Sequence, residues 1–241
     1  ATVQVADSYL DAARNDPAQA EVALKLLEGA LPLCRQVNGP EHPATLWAMH
    51  HLAAAYFYAG RRDDARTLQE QVLALSRQVN GPRHPETLWA MQDLATHYSL
   101  AGRRDEALDL RQERLKLSRE LNGPEHPATL IAMDYLAASF IAVGRRDEAN
   151  KLWEEALPIS RKLRGFEDSL TRRLMNNLAD SYLAAGRTTE GLALLADASL
   201  KDPADTESTL KLGTLQLWFN HGADYAATCQ RMLQWAADTR E

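Results

Sequence analysis

Seven histidines and 33 carboxylates are the side chains of this 241-residue chain best suited to metal binding or acid–base work. His42, His84 and His126 recur at a constant spacing of 42 residues. Such equivalents argue against a shared ion, because neighbouring helices pack about 8–10 Å apart and ligands of one zinc lie about 2 Å from it. His50, His51, Asp93, His97 and Asp134 would converge better across a groove, yet no ligand spacing such as His-Glu-x-x-His occurs. Cys34 and Cys229 stand at opposite ends, outside any metal or redox motif. They read as free thiols in a reducing compartment. There is no glycine-rich phosphate loop, nucleophile elbow or kinase signature. Neither catalysis, a cofactor nor a resident metal is expected, and the remaining chemistry is recognition.

The elements that must position those side chains are visible as an internal repeat. Asn38-Gly39-Pro40-Glu41-His42-Pro43-Ala44-Thr45-Leu46-Trp47-Ala48-Met49 returns from Asn80 and again from Asn122, each time after 42 residues. A fourth copy, from Arg164-Gly165-Phe166, keeps the register and loses both prolines. Each unit reads as two helices. Pro43 suits a first helical turn, where its missing N–H costs nothing. Leu46, Met49, Leu52, Ala53 and Tyr56 then mark one helical face. Gly60 supplies a left-handed residue to end the first helix, and Asp63, Asp105, Asp147 and Thr188 are the expected N-caps of the second. The second helix runs through Ala65, Leu68, Val72 and Leu75 until Asn80-Gly81-Pro82 stops it. A lone pair cannot bury both apolar faces, so the units must stack.

Leu52-Ala53-x-x-Tyr56, a nearby Gly and Ala65 nine residues after the Tyr resemble the helix A and helix B pattern of tetratricopeptide repeats. Leu94-Ala95-x-x-Tyr98 with Ala107, Leu136-Ala137-x-x-Phe140 with Ala149, and Leu178-Ala179-x-x-Tyr182 with Gly191 repeat it. The 42-residue period and the Gly-Pro-x-His-Pro-x-Thr-Leu linker resemble the kinesin-light-chain variety. The resemblance implies an all-α, right-handed superhelical solenoid of antiparallel helix pairs. Hairpins are expected at 1–37, 38–79, 80–121, 122–163 and 164–202, with a degenerate capping hairpin at 203–241. Tyr9 to Ala23 spans five residues more than Tyr56 to Ala65, so an insertion is expected around Asn15-Asp16-Pro17. Pro203 breaks the pattern before a last hairpin, Thr206 to Asn220 and Asp224 to Asp238, with Gly222 in the turn.

Comparing the copies with one another separates frame from free surface. Positions 50, 92, 134 and 176 are His, Gln, Asp and Asn, and positions 51, 93, 135 and 177 are His, Asp, Tyr and Asn. By the resemblance, helix A positions of this kind line a concave peptide groove. Trp47, His50, His51 and Ala54 would share one rung, and Trp89, Gln92, Asp93 and Thr96 the next. Ile131, Asp134 and Tyr135, then Asn176, Asn177 and Asp180, would continue it. Trp47 and Trp89 serve equally well as ligand anchors or as packing between repeats. The Lys, Asn and Arg set of carboxylate-gripping family members is absent from these positions. The arginine pairs 61–62, 103–104 and 145–146 offer a basic ribbon, or else sit solvated at helix ends.

Composition narrows the partner. The net charge of −6 gives no footprint for nucleic acid, and no run approaches the ~18 apolar residues of a membrane span. No secretory signal is visible, so a cytoplasmic location is expected. The chain lacks an initiator Met and enters directly into helical pattern, as expected of a piece of a longer protein. Arg outnumbers Lys and Ala is abundant, which points to a bacterial source. The expected function is a scaffold binding a protein or peptide segment in the groove, within a larger signalling protein. The alternative is a regulatory domain acting on a covalently linked kinase or nucleotide-switch enzyme. Leu217-Trp218-Phe219 and Tyr225-Ala226-Ala227-Thr228-Cys229 resemble a stretch of large bacterial Ser/Thr kinases, over about 25 residues.

Overall fold

The computed structural model describes residues 2–13, 16–201, 206–219 and 222–238. The described residues are helical and contain no strand. They fall into two compact units, residues 1–123 and 124–241. The first holds α1 (Thr2–Ala13), α2 (Pro17–Asn38), α3 (Pro43–Tyr58), α4 (Arg62–Val79), α5 (Pro85–Leu100) and α6 (Arg104–Asn122). The second holds α7 (Pro127–Ala142), α8 (Arg146–Arg164), α9 (Ser169–Ala184), α10 (Thr188–Lys201), α11 (Thr206–Trp218) and α12 (Gly222–Asp238). Within each unit successive helices pack on one another, and α1 also touches α3. The repeated apolar positions are the cores: Leu46, Met49, Leu52 and Ala53 are buried in the first unit, and Leu130, Met133, Leu136 and Ala137 in the second. Each large side chain so buried contributes about 1.5–3 kcal/mol.

The linker residues set the start of the helix that follows them. His42 Nδ1 accepts the Ala44 backbone N–H at 3.1 Å, His84 that of Glu86 at 3.3 Å, and His126 that of Ala128 at 3.1 Å. The periodic histidines are therefore helix N-caps, followed each time by Pro at the first helical position. In the fourth copy Asp168 caps instead, accepting from Leu170 at 3.0 Å and Thr171 at 3.3 Å. Thr45 and Thr87, both fully buried, donate from Oγ1 to the carbonyls of Gly39 and Gly81 at 2.8 Å. Those bonds tie the starts of α3 and α5 to the ends of α2 and α4. His84→Ala is expected to cost about 1 kcal/mol in urea unfolding, whereas His84→Asp should cost nothing, since Asp168 performs the same task. Equal losses for the two variants would remove the capping role.

Gly60 and Gly102 adopt φ of +79° and +77°, as the pattern requires. Gly60 N–H donates to Phe57 O at 3.0 Å and Arg61 N–H to Tyr56 O at 2.8 Å, which closes α3 in a Schellman turn. That turn is shorter than expected. Helices α4, α6 and α8 begin at Arg62, Arg104 and Arg146, and α10 begins at Thr188. Asp63, Asp105 and Asp147 therefore lie inside the first turn and are not N-caps; they favour the helix dipole there. The preceding arginine takes over the corner. Arg61, Arg103, Arg145 and Arg187 lie over the rings of Tyr56, Tyr98, Phe140 and Tyr182, with 3.8 Å to the ring centre in the last case. Each also pairs with a carboxylate three residues on, such as Asp64 or Glu148 at 2.8 and 2.9 Å. The first arginine of each pair is thus committed to its own corner and not held out as a basic ribbon. Burial, then a hydrogen bond to Glu154, pushes the Tyr182 hydroxyl up to about 12.

The first turn absorbs its extra residues differently from expectation. Helix α1 continues to Ala13, four residues past Tyr9, where α3 stops two past Tyr56. Helix α2 begins at Pro17, six residues before Ala23, where α4 begins three before Ala65. The insertion thus lengthens both helices, with Asp16 capping α2 through Ala18 N–H at 2.9 Å; Asn15 lies outside the described residues. At the other end Gly222 is the first residue of α12 and not a turn residue, while Pro203 and Asn220 lie outside the described residues.

Candidate binding groove

In the first unit, helices α3 and α5 present two adjoining clefts that meet at His50. One, of about 270 Å³, lies among Leu46, Trp47, His51, Glu86 and Trp89. The other, of about 300 Å³, lies among Ala54, Phe57, Tyr58, Asp93 and Thr96. Trp47 is 40 % exposed and Trp89 60 %. Neither indole is buried between helices, so each leaves ring surface open to a ligand. The His51 ring lies against Trp47, tilted by 57° with ring centres 4.0 Å apart, and Phe57 meets His97 edge-on at 5.5 Å.

Charge in this unit is arranged around half-buried groups. His50 Nδ1 stands 3.5 Å from Asp93 Oδ2, and His51 Nδ1 3.2 Å from Asp7 Oδ1. Burial, reinforced by His50, pulls His51 and His97 below the usual histidine range, with Asp7 and Asp11 opposing the shift at His51. Burial likewise pushes the Asp93 carboxyl up, against the attraction of His50 and Arg114. Gln92, expected on the groove surface, is only 4 % exposed. It sits below the rung, where its Oε1 accepts from Arg114 Nη1 at 3.4 Å and Thr96 Oγ1 donates to its carbonyl at 3.0 Å.

The second unit treats the same register differently. Asp134 is 3 % exposed, beneath the surface and not on it. Its Oδ1 accepts from Trp153 Nε1 at 2.9 Å and Asn177 Nδ2 at 3.0 Å, and its Oδ2 from Arg173 Nε at 2.6 Å. The Arg173 guanidinium also lies 5.6 Å from the centre of the Tyr135 ring. A carboxylate so satisfied is no metal ligand in waiting. Among the described residues, no group of three or more His, Cys, Asp and Glu side chains is placed to hold a metal ion. Ile131, Asn176 and Asn177 are half-buried, and Asp180 is exposed and paired with Lys211. A cleft of about 330 Å³ lies among Ile141, Trp153, Asn177 and Asp180.

Three residues that shape these faces were not among the expected ones: Arg114, Trp153 and Arg173. Their signal is a break in the repeat. Arg114 occupies the position held by Val72 and Ala156, and Trp153 that of Gln69 and Arg111. Arg173 occupies the position of Trp47, Trp89 and Ile131. No helix of the described residues is long and apolar enough to cross a membrane.

A family model described as tetratricopeptide repeat matches residues 18–78, 50–120 and 101–162. No curated protein shows a significant sequence match to the chain. Among solved structures, the chain is similar to nearly identical TPR-like repeats of a kinesin light chain-like protein of Podospora anserina, at 27 % identity and a TM-score of 0.73. That match covers 86 % of this chain and 98 % of the other. BtubC of P. vanneervenii shares the fold at 19 % identity and a TM-score of 0.70, covering 95 % of this chain and 92 % of its own. A signal transduction ATPase with numerous domains from Pyrococcus horikoshii, which carries a tetratricopeptide repeat sensor, aligns at 13 % identity and a TM-score of 0.71. There the alignment covers 99 % of this chain and 36 % of the other.

Proposed function

Because the chain belongs to the tetratricopeptide repeat family, a fold that generally serves as a scaffold for protein–protein interaction, we propose that its α3–α5 face holds a segment of a partner protein. In this reading the chain is the recognition region of a larger signalling protein. The observation that supports it most is the pair of open indoles, Trp47 and Trp89, flanking a cleft on one helical face. Exposed tryptophans beside half-buried polar groups are what interaction hot spots are made of. An extended or helical segment would run along successive helix A residues, its side chains entering the two clefts in turn.

Selection of random displayed peptides on the folded protein tests this. Enriched peptides should lose about tenfold or more in affinity when Trp47 and Trp89 are both replaced by alanine, since each indole anchor contributes roughly 1 kcal/mol or more. Both side chains are exposed enough for the variant to keep its helical circular dichroism. A Trp218→Ala variant, altered at an 82 % exposed tryptophan of α11, should bind as the unaltered chain does. Affinity unchanged in the double variant would place the binding surface elsewhere.

A further inference from the structure

We propose that the α3–α5 face is a receptor for an arginine side chain carried by an extended segment of a partner protein, stacked on Trp47 or Trp89 and paired with Asp93. This rests on the recognition reading above and names its chemistry.

The second unit shows, in the same chain, the chemistry that holds a guanidinium. There a helix A position carries Arg173, whose guanidinium donates to the buried Asp134 and lies over Tyr135. A carboxylate and an aromatic face define that guanidinium site, and the chain fills it with its own residue. In the first unit the equivalent position is Trp89, so the chain supplies no guanidinium from that position. The positions of Asp134 and Tyr135 are held there by His50 and His51, so the acid and the aromatic faces of the first unit come from other residues. Trp47 and Trp89 are open, and Asp93 stands one helical turn beyond Trp89, on the same face of α5. Among the residues lining the two clefts there is no lysine or arginine.

The charge balance favours a cation. Glu86 and Asp93 are the acids of the two clefts, set against three lining histidines and the Arg114 guanidinium, which attracts Asp93. Of these, His51 and His97 are held towards the neutral form by burial. Burial weighs on the Asp93 carboxylate beyond what His50 and Arg114 offset, and an incoming guanidinium would add to their attraction. An acidic segment would meet repulsion from both acids. Arginine fits better than lysine because its planar, weakly hydrated group can stack on an indole while still donating to a carboxylate. An ammonium offers a point charge and no plane.

The probe is N-acetyl-arginine amide, titrated against the folded chain with the indole N–H resonances of Trp47 and Trp89 as reporters. Saturable shifts of these two are expected, with Trp218 unmoved. The citrulline amide, isosteric and uncharged, should bind about tenfold more weakly, and the lysine amide less tightly than arginine. Asp93→Asn, which preserves shape, should lower the arginine affinity by about tenfold. No saturable shift, equal binding of citrulline, or indifference to Asp93→Asn overturns the proposal. The peptides from the display selection separate the two readings. Enriched peptides that need both indoles but carry no arginine leave the recognition reading standing and overturn this one. Peptides indifferent to the indoles overturn both.

Discussion

Asp134→Ala should lower the unfolding free energy by about 3 kcal/mol, within the range for breaking a buried charged network. The carboxylate is 3 % exposed and receives three hydrogen bonds, from Trp153, Asn177 and Arg173. Removing it leaves the Trp153 indole N–H buried without its acceptor, which costs about 1–3 kcal/mol by itself. The remainder comes from the lost charge-assisted bond to Arg173 and from the small void left behind. Arg173 is exposed enough to be rehydrated, which keeps the loss below that of a fully stranded charge. Asp134→Asn, which keeps an acceptor for Trp153 but not the charge, should lose about half as much. Urea unfolding followed by far-ultraviolet circular dichroism reads both variants. A loss under about 0.5 kcal/mol for the alanine variant would mean that the network contributes nothing.

A second large effect uses the repeat against itself. Positions 48, 90, 132 and 174 are Ala, Ala, Ala and Leu, and all four are buried. Leu174→Ala is expected to cost about 2–5 kcal/mol, because its side chain is fully buried and the surrounding atoms can only partly collapse. Restoring the residue found in the other three copies should therefore harm this one. The reverse change, Ala132→Leu, should also destabilise, by about 1–3 kcal/mol, since it forces a side chain into a space closed at a methyl group. If Leu174→Ala proved neutral, the fourth helix A would have to pack as loosely as a surface helix, contrary to its full burial.

Much of this protein is governed by local rules, and those were readable from the residues alone. The 42-residue period, the helix pairs, the glycines that close helix A and the burial of Leu46, Met49 and Leu52 all follow from 3.6-residue periodicity and turn chemistry. Four copies in one chain also show which positions the frame needs, without any other sequence. The surplus residues between Tyr9 and Ala23 were visible as a length, but whether they would loop out or extend the helices was not. Their extension of α1 and α2 depends on what those helices can pack against.

The depth of the variable positions was decided only in three dimensions. His50, Gln92 and Asp134 share one register, yet His50 stays half-exposed while Gln92 and Asp134 go under. The cause lies on another helix. Arg114 reaches Gln92 across 22 residues of sequence, and Arg173 reaches Asp134 across 39. A helical period reports which residues share a face, but not how far a long side chain from a neighbouring helix will cover it. The linker histidines show the same divide. Their spacing was plain, but their role as caps depends on the backbone angle at which the chain enters each helix, which places Nδ1 against an amide two residues on. Periodicity determined the frame of this protein, and side chains meeting across helices decided which parts of its surface remain free to bind.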